Sequence, residues 1–201
     1  MKTAIFVVAA TLLAFPAAAQ KVVGRQPLRA APSLVLLDTT GMFLERYAKV
    51  GEDFFIGGQP TVKALRAMKS EGVTTVINLR MPQEMERIDF DEKKLVEELG
   101  MKYVHIPMRG GTGEMSYSPA TLARFTEAIQ SANAKVLVHC TIAWRASHIW
   151  AAYLIQEGVP EAEALKHARA INLMDAHRMD GSGRQPIEMF LGRPVAGVGR
   201  P

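Results

Sequence analysis

A cysteine and an arginine with complementary chemistry lie close together in one short segment. Cys140, the only cysteine among 201 residues, is separated from Arg145 by four residues. The apolar residues before Cys140 predict a buried strand, and a helical pattern resumes at about Ser147. A strand, a tight loop and a helix N-terminus direct backbone N–H groups toward one point, which creates an anion site. The same environment favours a thiolate, and a guanidinium offers paired donors to oxyanions. The segment predicts a nucleophile in an oxyanion-binding loop.

The same residues also have a purely structural interpretation. A lone cysteine after a buried strand is often a small core residue. Arg145 could be an arginine at a helix start that pairs elsewhere. The combination of His139, Cys140 and Arg145 in one strand–loop–helix unit favours the chemical interpretation.

These residues resemble the signature of the cysteine-dependent protein tyrosine and dual-specificity phosphatases. That signature usually has five residues between cysteine and arginine, whereas this chain has the four residues 141–144. A shorter loop is found in the beta-lactamase-hydrolase-like phosphatases, a bacterial branch of dual-specificity-phosphatase-like proteins. It is also found in rhodaneses, which transfer sulfur, so the loop alone leaves both classes open.

The resemblance to the beta-lactamase-hydrolase-like phosphatases extends over residues 54–172. It includes Gly58-Gln59-Pro60, the run of residues 76–80 with Glu84 after it, and His105-Ile106-Pro107. A rhodanese is expected to show a Gly-His-Ile sequence after its Asp-Val-Arg segment, and this chain has none. The order and spacing of these pieces favour a phosphatase over a sulfurtransferase.

The resemblance implies a two-step, metal-independent mechanism without a cofactor. The Cys140 thiolate would attack phosphorus while Arg145 and loop amides hold the equatorial oxygens. Water would then hydrolyse the phosphocysteine. The implied phosphate-binding loop consists of Thr141, Ile142, Ala143, Trp144 and Arg145.

The resemblance also implies a general acid on a mobile loop ahead of the cysteine. Glu114 is the only carboxylate between Met101 and Thr126, and it lies 26 residues before Cys140 in a glycine-rich stretch. It is therefore the candidate acid. A solvated loop glutamate is the alternative interpretation of the same residue.

Supporting roles fall on three further residues. His139 would orient the loop, and Arg80 follows a predicted strand on the same sheet edge. Ser147 lies one position beyond Ala146, where the family usually has the hydroxyl that assists the leaving thiolate. This departure, together with the bulky Trp144, keeps a non-catalytic oxyanion-binding protein open as an alternative.

Alternating strands and helices predict an α/β three-layer sandwich, with a central, mainly parallel sheet of about four to five strands. By the resemblance this fold is protein-tyrosine-phosphatase-like. Strands are predicted at residues 54–56, 73–79 and 103–106 and before Cys140, and helices at about residues 61–71, 91–99, 118–130, 147–157 and 161–171. The predicted segments are a signal peptide (1–19), a leader and irregular N-terminal segment (20–53), a phosphatase-like domain (54–191) and a flexible tail (192–201).

The N-terminus has the pattern of a secretory signal peptide. Lys2 precedes an apolar run from Ala4 to Phe15, and small residues at 17–19 form a cleavage site. The predicted location is the periplasm or outside the cell, with no membrane span after cleavage. A net charge of +4, without a basic run, argues against nucleic acid as a partner. The expected partner is a phosphorylated protein or a small phosphate ester, and the oligomeric state stays open.

Overall fold

A central sheet of six strands organises the protein. The computed structural model describes residues 28–174 and 183–198, so the predicted signal peptide lies outside the described residues. The strands are β1 (Leu34–Leu36), β2 (Tyr47–Val50), β3 (Phe54–Gly57), β4 (Val73–Asn78), β5 (Lys102–His105) and β6 (Lys135–His139). Their order is β1-β2-β3-β6-β4-β5. β1–β2 and β2–β3 pair antiparallel, and the other three pairings are parallel.

Helices cover both faces of the sheet. They are α1 (Val62–Ser70), α2 (Pro82–Met85), α3 (Glu92–Glu98), α4 (Pro119–Gln130), α5 (Trp144–Gln156), α6 (Glu161–Ile171) and α7 (Pro186–Leu191). The side chains of β6 alternate between two cores: Val136 and Val138 pack in a core shared with α4 to α7, and Leu137 packs in a core shared with α1 and α3. This alternation is the period of two that a strand imposes. The predicted three-layer sandwich is confirmed.

One N-terminal prediction was wrong. Residues 20–53 were expected to form a leader and an irregular segment, but β1 and β2 within it add two antiparallel strands, which makes six strands rather than about four to five. These strands have only three and four residues, too few to show a clear period. Within the predicted flexible tail, Val195 is buried and the amide of Ala196 donates to Glu161 at 2.8 Å, and the flexibility of the tail stays a prediction.

Local signals placed most helix starts correctly. Thr61 caps α1 by accepting a hydrogen bond from the amide of Ala64, and Ser118 caps α4 in the same way. Helix α5, however, begins at Trp144 rather than Ser147. Ala143 takes up a left-handed conformation with φ of 66°, so the loop closes and the helix begins immediately after it. The short helices α2 and α7, which both begin at proline, were not predicted.

The four strands of the parallel part end at one edge of the sheet. The chain leaves β3 into Gly58, β4 into Leu79 and Arg80, β5 into Ile106, and β6 into Cys140. Sites in parallel sheets form at this carboxyl edge. The predicted site residues that directly follow these strands therefore lie at the same edge of the sheet.

Candidate active site

Cys140 lies at the base of a loop between β6 and α5, which we call the Cys140 loop (residues 140–145). Cys140 is 1% exposed, and its backbone amide donates to the carbonyl of Gly57 at 3.3 Å. The amide of Gln59 donates to the carbonyl of Thr141 at 2.9 Å. The loop is therefore joined by backbone hydrogen bonds to the segment after β3.

Gly58 permits this close approach. A Cβ at this position would lie 1.8 Å from the carbonyl oxygen of Leu44 and 2.8 Å from that of Thr141. No side chain fits between these two backbone segments. The glycine in the sequence Gly58-Gln59-Pro60 thus brings the N-terminal segment and the Cys140 loop together.

Arg145 is held by Glu84 in a bidentate ion pair. Its Nη2 lies 2.6 Å from Glu84 Oε1, and its Nη1 lies 2.7 Å from Glu84 Oε2. Thr141 completes the arrangement, because its hydroxyl donates to Glu84 Oε1 at 2.7 Å and accepts from Arg145 Nη2 at 3.0 Å. A bidentate pair fixes the plane of the guanidinium as well as its position. Arg145 is thereby oriented before any ligand is present.

The charges at this pair reinforce each other. Burial alone would raise the pKa of Glu84, but hydrogen bonds from Arg145, the Met81 amide and Thr141 outweigh it and lower the pKa to about 2. Burial would lower the pKa of Arg145, yet Glu84 and the neighbouring Cys140 raise it overall. The carboxylate and the guanidinium are both charged across the physiological range.

His139 precedes the cysteine and is paired beneath the loop with Glu92. Its Nε2 lies 2.9 Å from Glu92 Oε1, and both side chains are fully buried. Asn78 Nδ2 donates to the same carboxylate oxygen at 3.0 Å, and Gln59 Nε2 donates to Oε2. Burial would raise the pKa of Glu92, but His139, the hydrogen bond from Gln59 and the charge of Arg80 lower it overall. His139 is therefore held in place beneath the loop, and its role in orienting the loop stays a prediction.

Arg80 is 6% exposed and bridges two parts of the site. Its Nη1 donates to Gln59 Oε1, and its Nη2 donates to the carbonyl of Glu84 at 2.7 Å. Burial lowers its pKa despite the attraction of Glu84 and Glu92. Arg80 is therefore linked to the Cys140 loop through Gln59 and Glu84, and its supporting role stays a prediction.

Tyr117 is a site neighbour that sequence reasoning missed. It is half-buried, and its ring packs against Phe190 with ring centres 5.3 Å apart. Burial raises its pKa to about 12, with smaller effects from the charges of Arg145, Cys140 and Glu84. Tyr117 follows the glycine-rich stretch, in which Glu114 was the predicted site residue.

Two predicted site residues, Glu114 and Ser147, have surroundings that differ from those of Cys140 and Arg145. Glu114 is exposed, and its side chain makes no hydrogen bond or ion pair with the part of the chain described, so its catalytic role stays a prediction. Ser147 is buried inside α5, and its hydroxyl donates to the carbonyl of Ala143 at 2.8 Å. The hydroxyl proton of Ser147 is therefore engaged in a hydrogen bond at the start of α5.

Trp144 turns toward the segment before residue 175. Its indole Nε1 donates to the carbonyl of Met174 at 3.3 Å, and its ring lies 4.5 Å from that of His148. Asn172 Nδ2 donates to the carbonyl of Ile142. The large side chain thus forms part of the contact between the loop and residues 172–174.

Residues 28–174 and 183–198 contain neither a metal-ligand cluster nor a membrane-spanning helix. Within these ranges, no three His, Cys, Asp or Glu residues are grouped so that they could hold a metal ion. No helix in the same ranges has both the length and the apolar character that crossing a membrane requires.

Known proteins resemble this chain in sequence. Residues 44–184 match the family described as "DSP-PTPase phosphatase fused to NAD+ Kinase". The "Beta-lactamase hydrolase-like protein" of Xylella fastidiosa (strain 9a5c) is 29% identical over 133 residues. That alignment covers 64% of this chain but 30% of the relative, so this chain spans under a third of the relative's length.

Solved structures resemble it in fold. A candidate phosphatase from Shewanella putrefaciens CN-32 is 29% identical with a TM-score of 0.51, covering 63% of this chain and 78% of that one. PTPMT1 in complex with PI(5)P is 20% identical with a TM-score of 0.57, covering 73% and 92%, and this likeness shows the fold alone. The predicted protein-tyrosine-phosphatase-like fold is confirmed. Because the family match spans more than half of the sequence, the chain belongs to the DSP-PTPase family of dual-specificity-phosphatase-like domains.

Proposed function

We propose that the protein is a cysteine-dependent phosphatase that hydrolyses phosphate monoesters through a phosphocysteine intermediate. The observation that carries the proposal is the pair formed by Cys140 and a pre-oriented Arg145 in one loop. The thiol lies at the end of a parallel strand, and Glu84 fixes the guanidinium by two short hydrogen bonds. Preorganised donors of this kind stabilise charge that develops in a transition state.

The proposed reaction has two displacements at phosphorus. The Cys140 thiolate attacks, an S–P bond forms, and the P–O bond to the leaving group breaks. The departing oxygen takes a proton from the general acid. Water then attacks the phosphocysteine and gives a proton to the carboxylate that acted as the acid, the S–P bond breaks, and inorganic phosphate and the thiolate are released. Arg145 and the loop amides would bind the equatorial oxygens throughout.

Glu114 remains the proposed general acid. Its loop contains two glycines with positive φ, Gly111 at 101° and Gly113 at 98°. Such glycines allow a loop to change conformation at little steric cost. The exposed carboxylate would reach the leaving oxygen when the loop closes over a bound substrate.

The proposed substrates are a phosphorylated protein or a small phosphate ester, with the protein exported to the periplasm or beyond. The complex of PTPMT1 with PI(5)P supports phosphate esters as a class that this fold accommodates. The signal-peptide pattern supports export, and N-terminal sequencing of an extracellular or periplasmic fraction should find a chain that begins near Gln20. A chain that retains Met1 in a membrane fraction would contradict export.

An aryl phosphate assay tests the reaction. We expect hydrolysis by the wild type, none by Cys140→Ser, and a large decrease in Arg145→Lys, because lysine keeps the charge but loses the bidentate geometry. Arg169→Lys is the matched control, since Arg169 donates to the carbonyl of Gly197, away from the loop. Activity should persist in a chelator.

A thiosulfate-to-cyanide assay on the same proteins tests the sulfur-transfer alternative. Persulfide formation on Cys140 without phosphate release would assign the protein to sulfur transfer. Phosphate binding without turnover in either assay would leave a non-catalytic oxyanion-binding protein.

A further inference from the structure

Glu92 connects three strand ends beneath the Cys140 loop. It is the first residue of α3, and its side chain is completely buried. Its carboxylate accepts hydrogen bonds from His139 at the end of β6, from Asn78 at the end of β4, and from Gln59 just after β3. β3, β6 and β4 are adjacent in the sheet. One buried carboxylate thus joins the three segments that carry the site.

A buried ion pair is a poor source of net stability. Removing two charged groups from water costs several kcal/mol per ion, and well-packed apolar residues often serve stability as well or better. What a buried carboxylate supplies is direction, since it accepts hydrogen bonds and donates none. The groups around Glu92 must therefore present N–H donors to it.

This constraint fixes the side chain of Gln59. Its Nε2 donates to Glu92, so its Oε1 points away from the carboxylate and accepts from Arg80 Nη1. A flipped amide would place an oxygen against the carboxylate and an NH₂ group against the guanidinium. Both contacts would be repulsive, because a guanidinium only donates. The amide has one permitted orientation.

Arg80 transmits this orientation to the loop. Its Nη2 donates to the carbonyl of Glu84 at 2.7 Å and so anchors the short helix α2. The carboxylate of Glu84 then holds Arg145. The path runs from Glu92 through Gln59, Arg80 and Glu84 to the guanidinium of Arg145.

We infer that Glu92 is a positioning residue for oxyanion binding: it orients the Gln59 amide, which holds Arg80 and thereby the Glu84–Arg145 pair. This inference rests on the proposed function for its activity readout but not for its binding readout. It assigns no contact between Glu92 and substrate.

The test is an exchange of the two side chains. In Glu92→Gln, the side-chain oxygen stays with the two donors His139 and Asn78, so the new amide nitrogen faces the Gln59 nitrogen. The Gln59 amide must then flip, and Arg80 loses its acceptor. In the double variant Glu92→Gln with Gln59→Glu, the amide at 92 donates to the carboxylate at 59, which accepts from Arg80. Recovery should be incomplete, because Gln59 Nε2 also donates to the carbonyl of Pro60 at 3.1 Å.

Two readouts are measured on each protein: kcat/KM for an aryl phosphate, and protection of Cys140 from iodoacetamide by inorganic phosphate. Glu92→Gln should lower kcat/KM and the apparent affinity of the protecting phosphate by about 10- to 100-fold each, since a misplacement of ~1 Å costs up to about 10²-fold. The double variant should recover most of this loss. Gln59→Met removes the amide but leaves the His139–Glu92 pair intact, and it should be as impaired as Glu92→Gln. If Glu92→Gln does not fold, Gln59→Met alone tests the inference.

Glu188→Gln is the control. Glu188 is also a buried glutamate, but it accepts from the backbone amides of Gln185 and Val195 and lies away from the loop. It should change melting temperature without changing phosphate protection. Wild-type phosphate protection in Gln59→Met would overturn the inference, as would equal impairment of the double variant and Glu92→Gln. If the wild type hydrolyses no phosphate ester, the proposed function fails, and phosphate protection still decides the role of Glu92.

Discussion

Replacing Glu84 with glutamine should separate the orientation of Arg145 from its charge. Glutamine has nearly the same shape, so helix α2 keeps its geometry, but the side chain becomes neutral. In either orientation of the new amide, its nitrogen faces one of the two guanidinium donors of Arg145. The bidentate pair loses one hydrogen bond and its charge assistance. Arg145 would remain present but lose its fixed plane.

The effect on stability follows from the lowered pKa of Glu84. The difference between its ordinary value of 4.5 and the value of about 2 in this site corresponds to about 3 kcal/mol as an upper limit. Because 28% of the side chain is exposed, solvent screening leaves about 1–2 kcal/mol. For a domain of this size, that loss lowers the melting temperature by roughly 2–8 °C.

The pH dependence has a definite sign. A carboxyl whose pKa is lowered by folding stabilises the protein above its ordinary pKa, and this contribution is lost as the pH falls through the folded value. The melting temperatures of wild type and Glu84→Gln should therefore differ at neutral pH and converge between about pH 4.5 and pH 2. Calorimetric melts across this range measure the convergence.

Glu161→Gln provides a matched comparison. Glu161 also pairs with an arginine, Arg193, and its side chain is 27% exposed. It should lose stability similarly but keep full aryl phosphate hydrolysis, whereas Glu84→Gln should also lose kcat/KM. If Glu84→Gln hydrolyses substrate like the wild type, and its melting difference is the same at every pH, then Glu84 does not hold Arg145 for function.

Three further substitutions test single features of the site. Gly58→Ala should lower both activity and the free energy of unfolding, by about 1–3 kcal/mol in melts, because the added methyl would meet the Leu44 carbonyl at 1.8 Å. Glu114→Gln should slow hydrolysis of esters with poor leaving groups by about 10²–10⁴-fold and affect good leaving groups little; an equal, small effect on both would remove it from the mechanism. Ser147→Ala should lower the free energy of unfolding by about 1 kcal/mol, because the hydrogen bond to the Ala143 carbonyl is lost, and should leave both chemical steps nearly unchanged in burst kinetics.

The parts of the fold that sequence predicts well are those determined by neighbouring residues. The caps at Thr61, Asp91 and Ser118 accept hydrogen bonds from amides three residues later, so their signal is local. The pairing of β1 with β2 depends instead on tertiary contacts. The early start of α5 depends on a left-handed Ala143, a conformation that alanine does not announce in the sequence.

The same division applies to the site. Cys140 and Arg145 lie in one short loop, and their relation was readable from spacing. Glu84 meets Arg145 across 61 positions, and Glu92 meets His139 across 47. Such pairs depend on the sheet order, in which β6 lies between β3 and β4. One local signal existed: Glu92 is four residues from the buried Val96, which places a carboxylate on the apolar face of α3.

The segment between β4 and β5 supports the Cys140 loop from two sides. Glu84 pairs with the cation after the cysteine, Arg145, and Glu92 pairs with the side chain before it, His139. Because both carboxylates come from one stretch of chain after β4, a shift of that stretch would move both ends of the loop together. Substitutions there can therefore change oxyanion binding without altering any residue of the loop itself, and a search for activity determinants that is confined to residues 139–147 would miss them.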